Sequence, residues 1–166
     1  QLAVSVGIDQ TVGSIRVQGA LCVLYLRADG TVRATRVVHE ANSGAIALAN
    51  PESFAASLAL MPDMDGDGQP ELAAGCSLAS DLKGAVLILF LAPNATHLAP
   101  VDMVRSVSVI SGDPAASPYA PALSMGARFG HSSLASLPSL DSDPEIFSLA
   151  AGARDARSSL RSDGRR

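Results

Sequence analysis

The sequence predicts an all-β chain of antiparallel four-stranded units stacked in series, and three observations carry that expectation. Segments recur at long fixed offsets, the apolar runs are short and fenced by turn residues, and helical periodicity is nowhere sustained. Of 166 residues, 48% are hydrophobic and 17% are charged, against a usual charged fraction of about 25%. Fourteen glycines and several Ala-rich runs stand in for bulky side chains, which suits closely layered sheets better than a charged helical bundle. The length supports one domain of ordinary size with a real core.

The repeats define the elements. GALCVLYLRADGTV at 19–32 and GAVLILFLAPNATH at 84–97 align at an offset of 65, matching Gly19 with Gly84, Ala20 with Ala85, Leu24 with Leu89, Leu26 with Leu91 and Thr31 with Thr96. The runs 20–26 and 85–91 are therefore expected as equivalent strands in successive sheets, and the unbroken apolar VLILFL implies cover on both faces. QLAVS at 1–5, ELAAG at 71–75 and SLAAG at 148–152 recur at offsets of 70 and 77 and predict shorter strands. Phe54-Ala55-Ala56-Ser57 and Phe129-Gly130-His131-Ser132 form a third set at an offset of 75. Each unit thus reads as a Phe-containing strand, an Asp-rich loop, an L-A-x strand, a loop, and a G-A strand ending in a turn such as Ala28-Asp29-Gly30. Ser53 to Met61 is rich in helix formers, but Pro51 and Pro62 fence it to the length of a strand.

A repeat of about four antiparallel strands stacked on like neighbours is the blade of a β-propeller, and closure needs about four to eight blades. Units of 65 to 77 residues give roughly two and a half here, so the chain reads as an incomplete propeller and as a fragment or excised piece. Residues 1–50 are the C-terminal part of a first blade, 51–125 a second blade with the Asp-rich loop, and 126–153 the start of a third, degenerate blade. Residues 154–166 are a basic tail with five Arg and two Asp, short of apolar residues and expected to be solvated.

Removing that tail from the net charge of −4 leaves −7 on residues 1–153, which argues against a nucleic-acid binder. The longest apolar stretch, Ala85 to Pro93, falls far short of the ~20 residues that span a bilayer. Gln1 opens directly into LAVSV without the pattern of a secretory leader. Cys22 and Cys76 each sit in a strand-like run, where a buried thiol is the simpler reading than a disulfide. Asn94-Ala95-Thr96 is an N-glycosylation sequon placed where a surface loop should begin, and it supports a secreted protein. His39, His97 and His131 have no metal-ligand spacing to one another. His131 beside Ser132 and Ser133 lacks the strained G-x-S-x-G turn of a hydrolase.

The stretch Asp63-Met64-Asp65-Gly66-Asp67-Gly68-Gln69-Pro70-Glu71 carries the most chemistry. Three carboxylates at alternate positions repel one another unless a cation sits among them, and an all-oxygen set with flexible geometry suits calcium. Gly66 and Gly68 let the backbone turn so that Asp63, Asp65 and Asp67 converge, the carbonyl of Gln69 is free at the seventh position, and Glu71 closes the shell at the ninth. An EF-hand would need its final Glu where Ala74 stands, and helices where Pro62 and LAAG stand. The alternative is a metal-free Asp-Gly turn. The second loop, Asp141-Ser142-Asp143-Pro144-Glu145, lacks the glycines and has Leu149 in place of the closing carboxylate.

Phe54, the DMDGDGQPELAAG loop, the GAVLILFL strand and the second copy from GARFGHS to SLAAGA together resemble FG-GAP repeats. These are the units of the integrin alpha-subunit N-terminal β-propeller and of many secreted repeat proteins. The resemblance covers nearly all of residues 1–153 and implies calcium at Asp63, Asp65, Asp67, the Gln69 carbonyl and Glu71, where the family usually has Asp at the last place. Ala55 stands where the family has Gly. The implied function is an extracellular or cell-surface, calcium-stabilised, non-catalytic module of adhesion type that recognises a protein or glycan. Two other readings stay open. One is an assembly subunit whose blades pair with another chain; the other is the non-catalytic part of a secreted hydrolase.

Overall fold

The computed structural model describes residues 2–12, 15–39, 42, 53–77, 83–92, 103–111, 128–138, 143 and 146–153. Among these the chain is all-β, with nine strands in three antiparallel sheets. The first sheet runs β1 (Leu2–Val12), β2 (Ile15–Leu26), β3 (Val32–Val38). The second runs β4 (Leu58–Leu60), β5 (Leu72–Cys76), β6 (Ala85–Leu91), β7 (Val104–Ser111). The third pairs β8 (Phe129–Leu137) with β9 (Ser148–Ala153).

The sequence repeats reappear as repeated register. Leu2 lies opposite Leu24 and Ser5 opposite Leu21; in the second sheet Leu72 lies opposite Leu89 and Gly75 opposite Val86. The next ladder is copied too, with Leu21 opposite Val38 and Val86 opposite Ile110. Both of these ladders slip at the same place, between Tyr25 and Leu26 in one and between Phe90 and Leu91 in the other. The strands at 20–26 and 85–91 thus hold equivalent positions in separate sheets.

Packing explains the apolar patterning. Leu21, Val23, Tyr25 and Val38 of the first sheet share a core with Leu72, Ala74, Cys76, Leu87 and Leu89 of the second. The alternate residues Ala73, Val86 and Ile88 pack with Met61 on the opposite face, against Phe129, Leu134, Leu149 and Ala151 of the third sheet. Successive side chains of a strand point to opposite faces. With a neighbour on each side, all of β5 and the first five residues of β6 are buried. Each large aliphatic side chain so buried contributes about 1.5–3 kcal/mol. β3 and β7 lie at sheet edges and are mostly exposed or half-exposed.

A glycine and a phenylalanine form each seam. Gly19 and Gly84 have φ of +95° and +86°, and a Cβ at either position would collide with backbone atoms of Phe54 or Phe129 respectively. The Phe129 N–H also donates to the Lys83 carbonyl at 2.8 Å. The close approach of backbone to backbone requires glycine here.

Ser53 to Met61 is not one strand: residues 53–57 form turns and bends, and only Leu58–Leu60 is extended. Ser53 and Ala55, on either side of Phe54, have φ of 62° and 58°, far from the extended values of a strand. Cys22 and Cys76 are both free thiols. Asn94, His97, the tail 154–166 and, apart from Asp143, the loop 141–145 lie outside the described residues.

Candidate metal centre

The loop between β4 and β5 is closed at its base by the Met61 N–H, which donates to the Glu71 carbonyl at 2.9 Å. Within it the carboxylates order the backbone. Asp63 Oδ1 accepts from the N–H groups of Gly66 (2.8 Å) and Asp67 (3.1 Å), and its Oδ2 accepts from Gly68 (2.8 Å). Asp67 Oδ1 accepts from the Gln69 N–H at 2.8 Å. Gly66 and Gly68 have φ of +76° and +84°, and a Cβ on either would meet nothing within 4 Å. These glycines serve the backbone conformation and not a close approach.

The result is convergence. One carboxylate oxygen from each of Asp63, Asp65, Asp67 and Glu71 lies within 4.8 Å of the others. At an effective dielectric of about 20, two full charges 4.8 Å apart repel by about 3.5 kcal/mol, so positive charge placed among this grouping would relieve it. Glu71 differs from its partners in being fully buried. Its Oε2 accepts from the Met64 N–H at 2.6 Å, while its Oε1 is buried without a hydrogen-bond partner. Burial pushes the Glu71 carboxyl above the usual carboxylate range, the Met64 N–H opposes that, and the Asp65 and Asp63 charges add to it. A buried carboxylate with an orphaned oxygen, grouped with three others, is what an all-oxygen cation site presents, so the cluster can hold a metal ion.

All four carboxylates named from the sequence are therefore brought together. The Gln69 side chain turns away, its Nε2 donating to the Gly68 carbonyl at 2.9 Å, which leaves its main-chain carbonyl as the atom of interest. Arg105 is the residue that sequence reasoning missed. Its Nη2 donates to Asp65 Oδ2 and to Asp67 Oδ2, both at 2.6 Å. Val104-Arg105 on β7 matches Val32-Arg33 on β3 at an offset of 72, an echo of two residues that is too short to have marked it.

His39 and His131 are each half-exposed with a buried Nδ1 lacking a hydrogen-bond partner, and burial lowers the His39 pKa. Neither belongs to the acidic cluster. No protein-family model matches the sequence, and no curated protein matches it. Among the described residues no helix is long and apolar enough to cross a membrane.

Proposed function

We propose that the chain is a non-catalytic recognition module of FG-GAP type, an incomplete β-propeller whose second blade is stiffened by calcium at Asp63, Asp65, Asp67, the Gln69 carbonyl and Glu71. The observation that carries the reading is the convergence of four carboxylates, one of which, Glu71, is buried with an unpartnered oxygen. The copied register and the glycine seams support the blade assignment. Calcium bound there neutralises the loop and cross-links its two ends, a structural and not a catalytic role. Loops at the sheet ends then present a protein or glycan ligand with a fixed surface. Extracellular calcium, available at millimolar levels, suits a site of this kind. In a secretory host Asn94 would carry glycan, removable by an amidase with a matching loss of mass.

Melting curves test the metal. Calcium should raise the melting temperature relative to chelator, and Asp65→Ala should remove most of the gain, because the ion binds only the folded loop. Equal curves for the parent chain with and without calcium would dismiss the reading.

A second reading, assembly with another chain, draws on the exposed Val109 and Ile110 of edge strand β7. Sedimentation at increasing concentration separates the two: a persistent monomer favours recognition, and a defined oligomer favours assembly.

A further inference from the structure

Arg105 owes its position to the slip in the β6–β7 ladder. Phe90 pairs with Ser106 and Leu91 with Val104, so Arg105 is the extra residue between them. A bulge of this kind re-aims a side chain out of the regular ladder. Here the guanidinium is divided between two tasks: its Nε donates to the Leu91 carbonyl at 3.2 Å, and its Nη2 bridges the two aspartates of the loop. The first sheet repeats the device. Tyr25 pairs with Ala34 and Leu26 with Val32, which leaves Arg33 as its extra residue.

The bridged oxygens belong to Asp65 and Asp67, two members of the same cluster as Glu71, whose buried Oε1 has no hydrogen-bond partner. We propose that Arg105 is the resident counter-cation of the loop: it holds Asp65 and Asp67 together while metal is absent, and a metal ion must displace it to engage them. This rests on the metal-binding reading above and adds a regulator to it. Displacement lowers the apparent affinity by the fraction of molecules in which the guanidinium is seated. Arg105 is 39% exposed, so the pairing is a moderate one, and its removal should tighten binding by about three- to tenfold. Metal entry would also release β7 from the loop, coupling the edge strand to calcium.

The test is calorimetric titration of calcium chloride into the parent chain, Arg105→Gln, Arg105→Lys and Arg33→Gln. Arg105→Gln should bind about three- to tenfold more tightly and melt at a lower temperature than the parent in chelator. Arg105→Lys, whose ammonium is a point charge without the planar fork, should fall between the two. Arg33→Gln removes the same charge at the twin bulge and should leave the affinity unchanged. In the parent chain the Arg105 Nε resonance should move as calcium is added. Equal or weaker binding by Arg105→Gln, or an Nε resonance that stays put while calcium binds, overturns the proposal. If Arg105→Gln does not fold, weaker binding by Arg105→Lys has the same force. Binding by Arg105→Gln alone, with none by the parent, upholds the resident-cation role and removes calcium from the parent's function. Binding by neither removes both.

Discussion

Replacing Gly84 by alanine tests the seam between the second and third sheets. At φ +86° an L side chain adopts the left-handed conformation at a cost of about 1–2 kcal/mol. The new Cβ would also meet the Phe129 backbone oxygen and nitrogen, and the Arg128 carbonyl carbon at 2.9 Å. Those atoms belong to the main chain and cannot swing aside, so an overpacking cost of about 1–3 kcal/mol follows. Alanine returns about 0.4–1 kcal/mol by restricting the unfolded chain. The net loss is about 1–4.5 kcal/mol, or about 2–18 °C in melting temperature for a chain of this size. Gly30→Ala supplies the control, because Gly30 has nearly the same φ, +83°, with nothing within 4 Å of its would-be Cβ. It should lose no more than about 1.5 kcal/mol, less than Gly84→Ala by the whole overpacking cost. Scanning calorimetry of both variants isolates the close approach. Equal losses at the two sites would refute the claim that the sheets meet backbone to backbone at this glycine, and Gly19→Ala should repeat the Gly84 result at the other seam.

Other consequences follow from neighbouring contacts. Ser57 Oγ donates to the Gly130 carbonyl at 2.6 Å across the same seam, so Ser57→Ala should cost about 1 kcal/mol in denaturant titration. Ala55→Gly should change stability by less than about 1 kcal/mol, because relief at φ 58° is offset by a lost buried methyl and by glycine's greater freedom when unfolded. Burial pushes the Cys76 thiol up to about 12, while Cys22 is partly exposed. A thiol reagent at mildly alkaline pH should therefore modify Cys22 first and reach Cys76 only on unfolding, which peptide mass mapping would show.

The parts of the fold legible in the sequence were those in which chemistry and spacing repeat together. ELAAG and GAVLILFL announce β5 and β6 because strands covered on both faces must be apolar throughout, and their copies QLAVS, GALCVLYL and SLAAG announce β1, β2 and β9 by repetition. The turn at Phe54 was hidden, since its left-handed residues are Ser53 and Ala55, where glycine would have marked the conformation. The carboxylates of the loop were legible because they are close in sequence. Arg105 was not, because it lies 38 residues from Asp67 and is brought to it only by a ladder slip that no local pattern encodes.

The ladders also show where this architecture absorbs length. Leu2 and Leu24, a pair in the first sheet, are 22 residues apart, whereas their counterparts Leu72 and Leu89 are 17 apart. The difference of five is taken up beyond the register slip at Val6 and Asp9, where Asp9 to Val12 pairs with Ile15 to Gln18 as a two-stranded ribbon of its own. The ribbon shares none of the pairings that the two sheets have in common. Its pairing can therefore lengthen or shorten while the ladder from Leu2 to Val6 and Ala20 to Leu24, which sets the registration of the stacked frame, stays as it is in the second sheet.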